Sequence, residues 1–148
     1  MKKRSLFLIP VVLVAAAVML SSVGRATPSA QAQEEYKQDK PYTRADPGPW
    51  VGAADKHIPE IVYEKLEMGL KVTVKVDNHP MDPMKPHYIM WIRLEDGQGN
   101  VLGKHEFAAT DLAPVATFEL KSVPEKLAAF ERCNIHGIWM NEANVELK

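Results

Sequence analysis

The sequence predicts an all-β fold, an immunoglobulin-like antiparallel β-sandwich. Residues 70–76 (LKVTVKV) alternate strictly, with the apolar side chains on one face and Lys71, Thr73 and Lys75 on the other. This period of two is typical of a half-buried strand. Short apolar segments recur along the chain with turn signals between them, about every 8–12 residues, which indicates a sandwich. No segment has the spacing of a strand–helix–strand unit.

Further strands are predicted on both sides of the alternating segment. Residues 61–66 form the preceding strand, and residues 87–94 (HYIMWIRL) form the following one because they are rich in β-branched and aromatic side chains. The turn chemistry of residues 95–100 (EDGQGN) ends that strand. Residues 123–130 suggest one helical turn. Four more short strands are predicted, at residues 101–107, 116–120, 128–133 and 138–147.

The first 32 residues have the features of a cleaved Sec-type signal peptide. Residues 2–4 (KKR) give a positive start, an apolar run over residues 6–20 follows, and residues 30–32 (AQA) match the small-residue cleavage rule. The run is short for a membrane span, which needs about 20 apolar residues. We therefore expect a periplasmic or otherwise exported protein with no membrane association after cleavage; retention as an uncleaved anchor is the alternative.

The part of the chain after residue 32 has the length of one domain. It holds 14 basic and 19 acidic residues, a formal charge of −5, because the first 32 residues contain four basic and no acidic ones. A negative chain without a basic stripe predicts no nucleic-acid partner. Residues 33–54 begin polar and proline-rich, which predicts an extended N-terminal arm that leads into a folded domain at residues 55–148. The aromatic residues of the arm are either solvated or docked on a neighbouring subunit, and they are Tyr36, Tyr42 and Trp50.

The single cysteine and the histidines form a candidate ligand set. Four of the five histidines lie at predicted strand borders or in loops, at positions His57, His79, His87 and His136. Cys133 ends a predicted strand, and loops at the ends of a sandwich can assemble a site without disturbing the core. One thiolate with several imidazoles suits a transition metal, and a metal-bound thiolate explains an unpaired cysteine in an exported protein. His105 lies inside a strand with polar neighbours and is predicted to be a surface residue.

Four motifs containing these residues occur in a recognisable order. They are residues 55–59 (DKHIP), 79–81 (HPM), 87–92 (HYIMWI) and 133–139 (CNIHGIW). In this order they resemble the motifs of superoxide reductases, the desulfoferrodoxin and neelaredoxin proteins, and the resemblance covers residues 55–148. The chain has one cysteine in total, so it lacks the four-cysteine iron site of desulfoferrodoxins and resembles the one-iron, neelaredoxin-like type.

The resemblance implies one mononuclear non-haem iron, Fe2+/Fe3+, per chain. Four imidazoles would be equatorial ligands and a thiolate the axial one, at positions His57, His79, His87, His136 and Cys133. The position opposite the sulfur would be open to superoxide, which one electron and two protons convert to hydrogen peroxide. An axial thiolate donates electron density towards the metal. Lys56 would be the catalytic residue, as a charge-assisted proton donor near the open position.

Two departures from the family pattern lie close to these ligands. His79 and His87 are eight residues apart, two more than in the usual loop, and Asp55 replaces a glutamate. The family's glutamate closes the open position of ferric iron. Asp55 is shorter by about one C–C bond, ~1.5 Å, so we expect it to leave ferric iron accessible to water, hydroxide or small anions. Lys56 and Lys85 are expected to form a positive rim that attracts anionic substrate.

The resemblance also implies protein partners. A redox protein must supply electrons, either a rubredoxin-like protein or, for an exported enzyme, a c-type cytochrome. Assembly as a homodimer or homotetramer is expected as well.

Two other metal functions remain as alternatives. Cys133, His136 and Met140 have the order Cys-x2-His-x3-Met, close to the ligand loop of cupredoxins, with His79 or His87 as the second imidazole. That function would be exported copper electron transfer, but it leaves Lys56 and His57 unexplained. Residues 81–87 (MDPMKPH) could instead scavenge Cu(I) through thioethers.

Overall fold

The structure is a computed structural model that describes residues 40–147, so the signal-peptide prediction for residues 1–32 lies outside the described residues. One 3-10 helix, Val51–Lys56, precedes the strands. No helix in the described range is long and apolar enough to cross a membrane. The strands are β1 (Glu60–Lys65), β2 (Leu70–Lys75), β3 (Ile89–Asp96), β4 (Val101–Glu106), β5 (Val115–Leu120), β6 (Lys126–Cys133) and β7 (Gly137–Asn144).

The strands form two antiparallel sheets that face each other. One sheet has the order β1-β2-β5 and the other has the order β4-β3-β6-β7. The sheets meet at both edges: the Tyr63 hydroxyl on β1 donates to the carbonyl of Asn144 on β7 at 3.2 Å, and Gly103 on β4 lies against the ring of Phe118 on β5. The predicted all-β antiparallel sandwich is confirmed.

The apolar core lies between the two sheets and fixes their register. Alternate residues of β2 point inward and are fully buried, as the strict alternation of residues 70–76 predicts. They pack with inward-facing residues of the other sheet, among them Ile92, Leu94 and Leu127. Burying one such side chain stabilises the fold by about 1.5–3 kcal/mol. The core therefore holds the strand ends, and the loops that follow them, in fixed positions.

The helical turn suggested for residues 123–130 is wrong. Strand β6 occupies Lys126–Cys133 and pairs with β3 on one side and β7 on the other. Pairing on both sides satisfies the backbone groups of β6 and buries Ala128 and Ala129, so tertiary context outweighs the helical preference of alanine.

The N-terminal arm packs on the same chain. The Tyr42 amide donates to the Ile138 carbonyl at 2.8 Å, and the Met140 amide donates to the Tyr42 carbonyl at 2.9 Å. These bonds form a parallel bridge beside β7, an edge strand whose backbone groups can accept another segment. Tyr42 and Trp50 therefore pack on aromatic side chains of their own chain, which is neither of the two predicted arrangements. Tyr36 lies outside the described residues.

Strand register brings several chain segments to one end of the sandwich. Strand β1 begins where β2 ends, because Glu60 pairs with Lys75. Strand β3 begins where β6 ends, because Ile89 pairs with Cys133, and Cys133 also pairs with Gly137 across the β6–β7 turn. The segments before β1, after β2, before β3 and between β6 and β7 therefore lie together, and they carry the predicted ligands.

Candidate metal centre

Five potential metal ligands converge at this end of the sandwich. Each offers one donor atom, and the five atoms lie within 4.8 Å of one another. The residues are the ones predicted from the sequence, His57, His79, His87, Cys133 and His136. His57, His79 and Cys133 are buried, whereas His87 and His136 are half-buried. One side of the cluster thus faces the protein interior and the other faces solvent.

The four imidazoles form a nearly square ring. Neighbouring ring centroids are 4.7 Å apart for His57–His79, 4.6 Å for His79–His87, 4.8 Å for His87–His136 and 4.6 Å for His136–His57. The diagonal from His57 to His87 is longer, at 6.2 Å. Cys133 approaches this ring from the buried side, with Sγ 3.5 Å from Nδ1 of His136.

Backbone carbonyls orient two of the imidazoles. Nδ1 of His57 is 2.9 Å from the carbonyl of Ala53, and Nδ1 of His79 is 2.6 Å from the carbonyl of Pro80. Each Nδ1 therefore carries the hydrogen and donates it, so Nε2 keeps the lone pair. This arrangement is typical of metal-binding histidines, whose second nitrogen donates to a carbonyl or carboxylate.

Asn134 holds the segment around His87 against the β6–β7 turn. Its side-chain amide donates to the carbonyl of Pro86 at 2.8 Å, and its side-chain oxygen accepts from the amide of Tyr88 at 2.9 Å. The backbone amide of Asn134 also donates to the backbone carbonyl of Tyr88 at 3.1 Å. Asn134 thus fixes the backbone on both sides of His87, so this residue of the motif CNIHGIW positions a ligand from a distant part of the chain.

The nitrogen atoms have the spacing that a metal ion requires. Nδ1 of His136 is 2.9 Å from Nε2 of His57 and 3.1 Å from Nε2 of His87. Metal–imidazole bonds of about 2.1 Å at right angles would separate neighbouring nitrogens by about 3 Å. Nε2 of His79 is buried without a hydrogen-bond partner in the described structure. A metal ion would satisfy this nitrogen, so the residues fit the predicted centre.

The donor set suits iron better than structural zinc. Structural zinc sites use four ligands, which would leave one of these five donors unused. Imidazole nitrogen is a good ligand for iron, and thiolate sulfur adds the one negative charge of the set. Four nitrogens and one sulfur can therefore hold one iron ion.

Burial keeps the imidazoles neutral. It lowers the pKa of His57 to about 4 and that of His79 to about 3, against the opposing effect of their carbonyl hydrogen bonds. Burial also lowers the pKa values of His87 and His136. A metal binds only neutral imidazole, so all four rings are ready to bind at neutral pH.

Cys133 is a buried free thiol in the metal-free chain. Burial raises its pKa to about 11, and hydrogen bonds from the backbone amides of Ile135 and His136 oppose that rise. The Ile135 amide lies 3.4 Å from the sulfur. The thiol therefore keeps its proton at neutral pH until a cation replaces it.

Glu131 is a buried carboxyl group that is not among the residues predicted from the sequence. It lies on the core-facing side of β6, opposite Ile92 and Trp139, and neither of its oxygens has a hydrogen-bond partner in the described structure. Burial raises its pKa well above the usual range. The position could have been found from the sequence, because the alternation of β6 places residue 131 on the same face as Leu127, Ala129 and Cys133.

Lys56 and Asp55 extend in different directions from the end of the 3-10 helix. Lys56 is exposed, and its positive charge adds to the burial that lowers the pKa of His87. Asp55 is also exposed and forms an ion pair with Arg44 of the N-terminal arm at 2.5 Å. The structure therefore turns the carboxylate towards the arm. His105 is exposed on β4, lies edge-to-face against Phe107 with ring centroids 4.5 Å apart, and takes no part in the cluster.

The cupredoxin alternative is not supported. Met140 follows Trp139 on β7, so its side chain is on the opposite face of the sheet from the fully buried Trp139, and it lines a shallow surface cleft with Thr43. In the Met-rich loop, Met81 packs on the apolar core and Met84 is 88% exposed. Met140 thus lies on the face of β7 opposite to Trp139, which contacts His57, and Met84 faces solvent.

The comparisons with known protein families and known proteins agree on one family. The family model described as Desulfoferrodoxin matches residues 51–142. A superoxide reductase from Pyrococcus abyssi is 41% identical over 109 residues, which cover 67% of this chain and 93% of the relative. A desulfoferrodoxin from Nitratidesulfovibrio vulgaris is 42% identical over 93 residues, which cover 62% of this chain and 66% of the relative.

The solved structures agree with the sequence comparison. A superoxide reductase (neelaredoxin) from Ignicoccus hospitalis superposes with a TM-score of 0.59 at 29% identity. The match covers 73% of this chain and 95% of the other. The described residues thus share their fold with nearly the whole of this superoxide reductase chain.

Metal binding should release about one proton per ion between about pH 7 and 9. The thiol of Cys133 has a pKa of about 11 and must lose its proton on binding, whereas the imidazoles, with lowered pKa values, are already neutral. The apparent affinity for Fe2+ should therefore rise about tenfold for each pH unit over this range. Anaerobic calorimetry of the metal-free chain in buffers of different ionisation enthalpy measures the protons released; His105→Ala is the matched control and should behave as the parent. Release near zero would mean that the thiol is not a ligand.

Proposed function

The chain belongs to the desulfoferrodoxin family, in its one-iron, neelaredoxin-like type, and on that premise we propose that it is an exported superoxide reductase. The observation that carries the proposal is the near-square ring of four imidazoles with a buried thiol on its inner side. His57, His79, His87, His136 and Cys133 would hold the iron. Relatives named superoxide reductase, 36–42% identical to this chain, support the activity.

The reaction consumes one superoxide, one electron and two protons, and it yields one hydrogen peroxide. Ferrous iron, when bound, supplies the electron. The protein keeps the imidazoles neutral through burial and leaves the thiolate as the only anion among the ligands. A single anionic ligand limits the repulsion that an anionic substrate meets as it approaches from the solvent side.

Lys56 is the group we assign to substrate attraction and proton supply. It directly precedes His57 at the end of the 3-10 helix, and it is exposed on the side where His87 is half-buried. Its ammonium can attract superoxide although the chain beyond residue 32 is formally −5. It can also donate a charge-assisted hydrogen bond to an oxygen near the site and deliver one proton.

Asp55 is assigned no role at the metal. Its ion pair with Arg44 directs the carboxylate to the arm, and both side chains are mostly exposed, so this pair stabilises the fold little. A shorter carboxylate with another partner supports the expectation that ferric iron stays accessible to water, hydroxide or small anions.

The sequence features of residues 1–32 support the proposal of export. An exported enzyme needs a donor in the same compartment, so we favour a c-type cytochrome over a rubredoxin-like protein. One electron per turnover is required from that donor, and Lys56 with Lys85 would give it a positive surface near the centre.

Replacing Cys133 by serine should abolish the thiolate-to-iron charge-transfer colour of the oxidised protein and slow superoxide reduction by about 100-fold or more. The reason is that a neutral hydroxyl does not donate charge as a thiolate does. Alanine at each of the four proposed histidine ligands should lower the iron content, whereas His105→Ala should keep iron, colour and rate. Metal analysis, absorption spectra and pulse radiolysis measure these properties. An unchanged colour in Cys133→Ser, or iron loss in His105→Ala alone, would refute the ligand assignment.

Lys56→Ala should slow the reaction with superoxide by about tenfold and weaken its dependence on ionic strength. Asp55→Ala should leave the rate and the pH dependence of the ferric spectrum nearly unchanged. Lys121→Ala is the matched control for loss of a positive charge, because Lys121 follows the far end of β5, where Leu120 pairs with Leu70. Equal effects of Lys56→Ala and Lys121→Ala on the pulse-radiolysis rate would show that only net charge matters.

Expression of the full chain in a Gram-negative host should give a periplasmic protein whose first residue is Gln33. The small residues before this position fit signal peptidase, and the apolar run ends well before them. Fractionation followed by intact mass measurement tests this, and Ala30→Asp with Ala32→Asp should block cleavage. A full-length protein in the cytoplasmic fraction would refute export.

A further inference from the structure

The orientation of His136 has a different origin from that of the other three imidazoles. Backbone carbonyls accept hydrogen bonds from His57 and His79, and Asn134 fixes the chain on both sides of His87. His136 directs Nδ1 to the cluster, and within residues 40–147 its Nε2 has no hydrogen bond to a protein group. A histidine ligand normally needs a partner for its second nitrogen, or another contact that limits rotation of the ring.

Trp50 provides such a contact. Its indole lies edge-to-face on the His136 imidazole, with ring centroids 4.7 Å apart and planes at 74°. This geometry is one that aromatic pairs prefer. The indole covers part of a half-buried ring that would otherwise face solvent.

The chain around Trp50 is itself held in place. The Trp50 amide donates to the carbonyl of Pro47 at 3.0 Å, and the Trp50 carbonyl accepts from the amide of Ala53 at 2.8 Å at the start of the 3-10 helix. The same helix ends directly before His57. One short segment therefore places a ligand at one end and an aromatic contact to a second ligand at the other.

A second aromatic contact fixes the arm that leads to Trp50. The Tyr42 ring packs on Trp139 with centroids 5.3 Å apart, and Trp139 packs on His57 at 5.2 Å. The Trp139 indole also donates to the carbonyl of His136 at 3.2 Å. The arm thus contacts His136 itself and the start of β7 directly after it.

We propose that Trp50 is a positioning residue of the metal centre, which restricts the His136 imidazole to the orientation that directs Nδ1 at the metal and shields that bond from water. The inference rests on the proposed iron centre. The indole makes no contact with the reacting atoms in this proposal, and it acts through His136 alone.

Trp50→Leu should release iron to a Fe(II) chelator about tenfold faster than the parent and shift the charge-transfer band of the oxidised protein. Trp50→Phe keeps an edge-to-face ring and should restore most of both properties. Trp91→Leu is the matched control, because Trp91 lies on β3 against Arg93 and Lys104 and not against the cluster, and it should leave the band and the release rate unchanged. Trp50→Met replaces the leucine variant if circular dichroism shows that the leucine variant does not fold.

A double-mutant comparison separates positioning from general loosening of the fold. In a His136→Ala background, Trp50→Leu should have no further effect on iron release, because its effect passes through His136. An equal effect in both backgrounds, or an unchanged band and release rate in Trp50→Leu, would overturn the proposal. If the parent protein itself binds no iron or does not reduce superoxide, the result contradicts the proposed function and not the role of Trp50.

Discussion

The convergence of five donor atoms at one end of the sandwich is the constraint on which the rest of the site depends. The imidazole nitrogens lie at hydrogen-bond distance, 2.9 and 3.1 Å apart, and Nε2 of His79 is buried without a partner in the described structure. Leaving such a group unsatisfied costs about 1–3 kcal/mol. The apolar core must offset this cost in the metal-free chain, and a bound cation would remove it.

The ligands come from both sheets, so the metal would join the two layers. His57 and His79 flank strands of the three-stranded sheet, whereas His87, Cys133 and His136 flank strands of the four-stranded sheet. Metal binding is therefore coupled to the closure of the sandwich at this end. The opposite end has no such link among the described residues and depends on the core alone.

The sequence predicted the parts of the structure that local patterns determine. Strict alternation predicted β2, and ordered motifs predicted the ligands that the fold brings together. The helical turn suggested for residues 123–130 was wrong because β3 and β7 decide the conformation of β6 from both sides, which no local pattern reveals. The contacts Tyr42–Trp139 and Arg44–Asp55 join the arm to other segments, so no local pattern reveals them. The shorter side chain of Asp55 is the local reason for proposing that it does not close the site, and its ion pair with Arg44 of the arm is a second, non-local one.

Under the proposed export, the single cysteine must avoid oxidation before it binds metal and must ionise when it does. Burial serves the first need, because it raises the pKa of the Cys133 thiol to about 11 and so suppresses the reactive thiolate. The same burial makes an unneutralised thiolate costly, so ionisation waits for a cation. Backbone amides at Ile135 and His136 then favour the anion once it forms. One local environment thus keeps the thiol protonated without metal and would favour the anionic ligand once a metal binds.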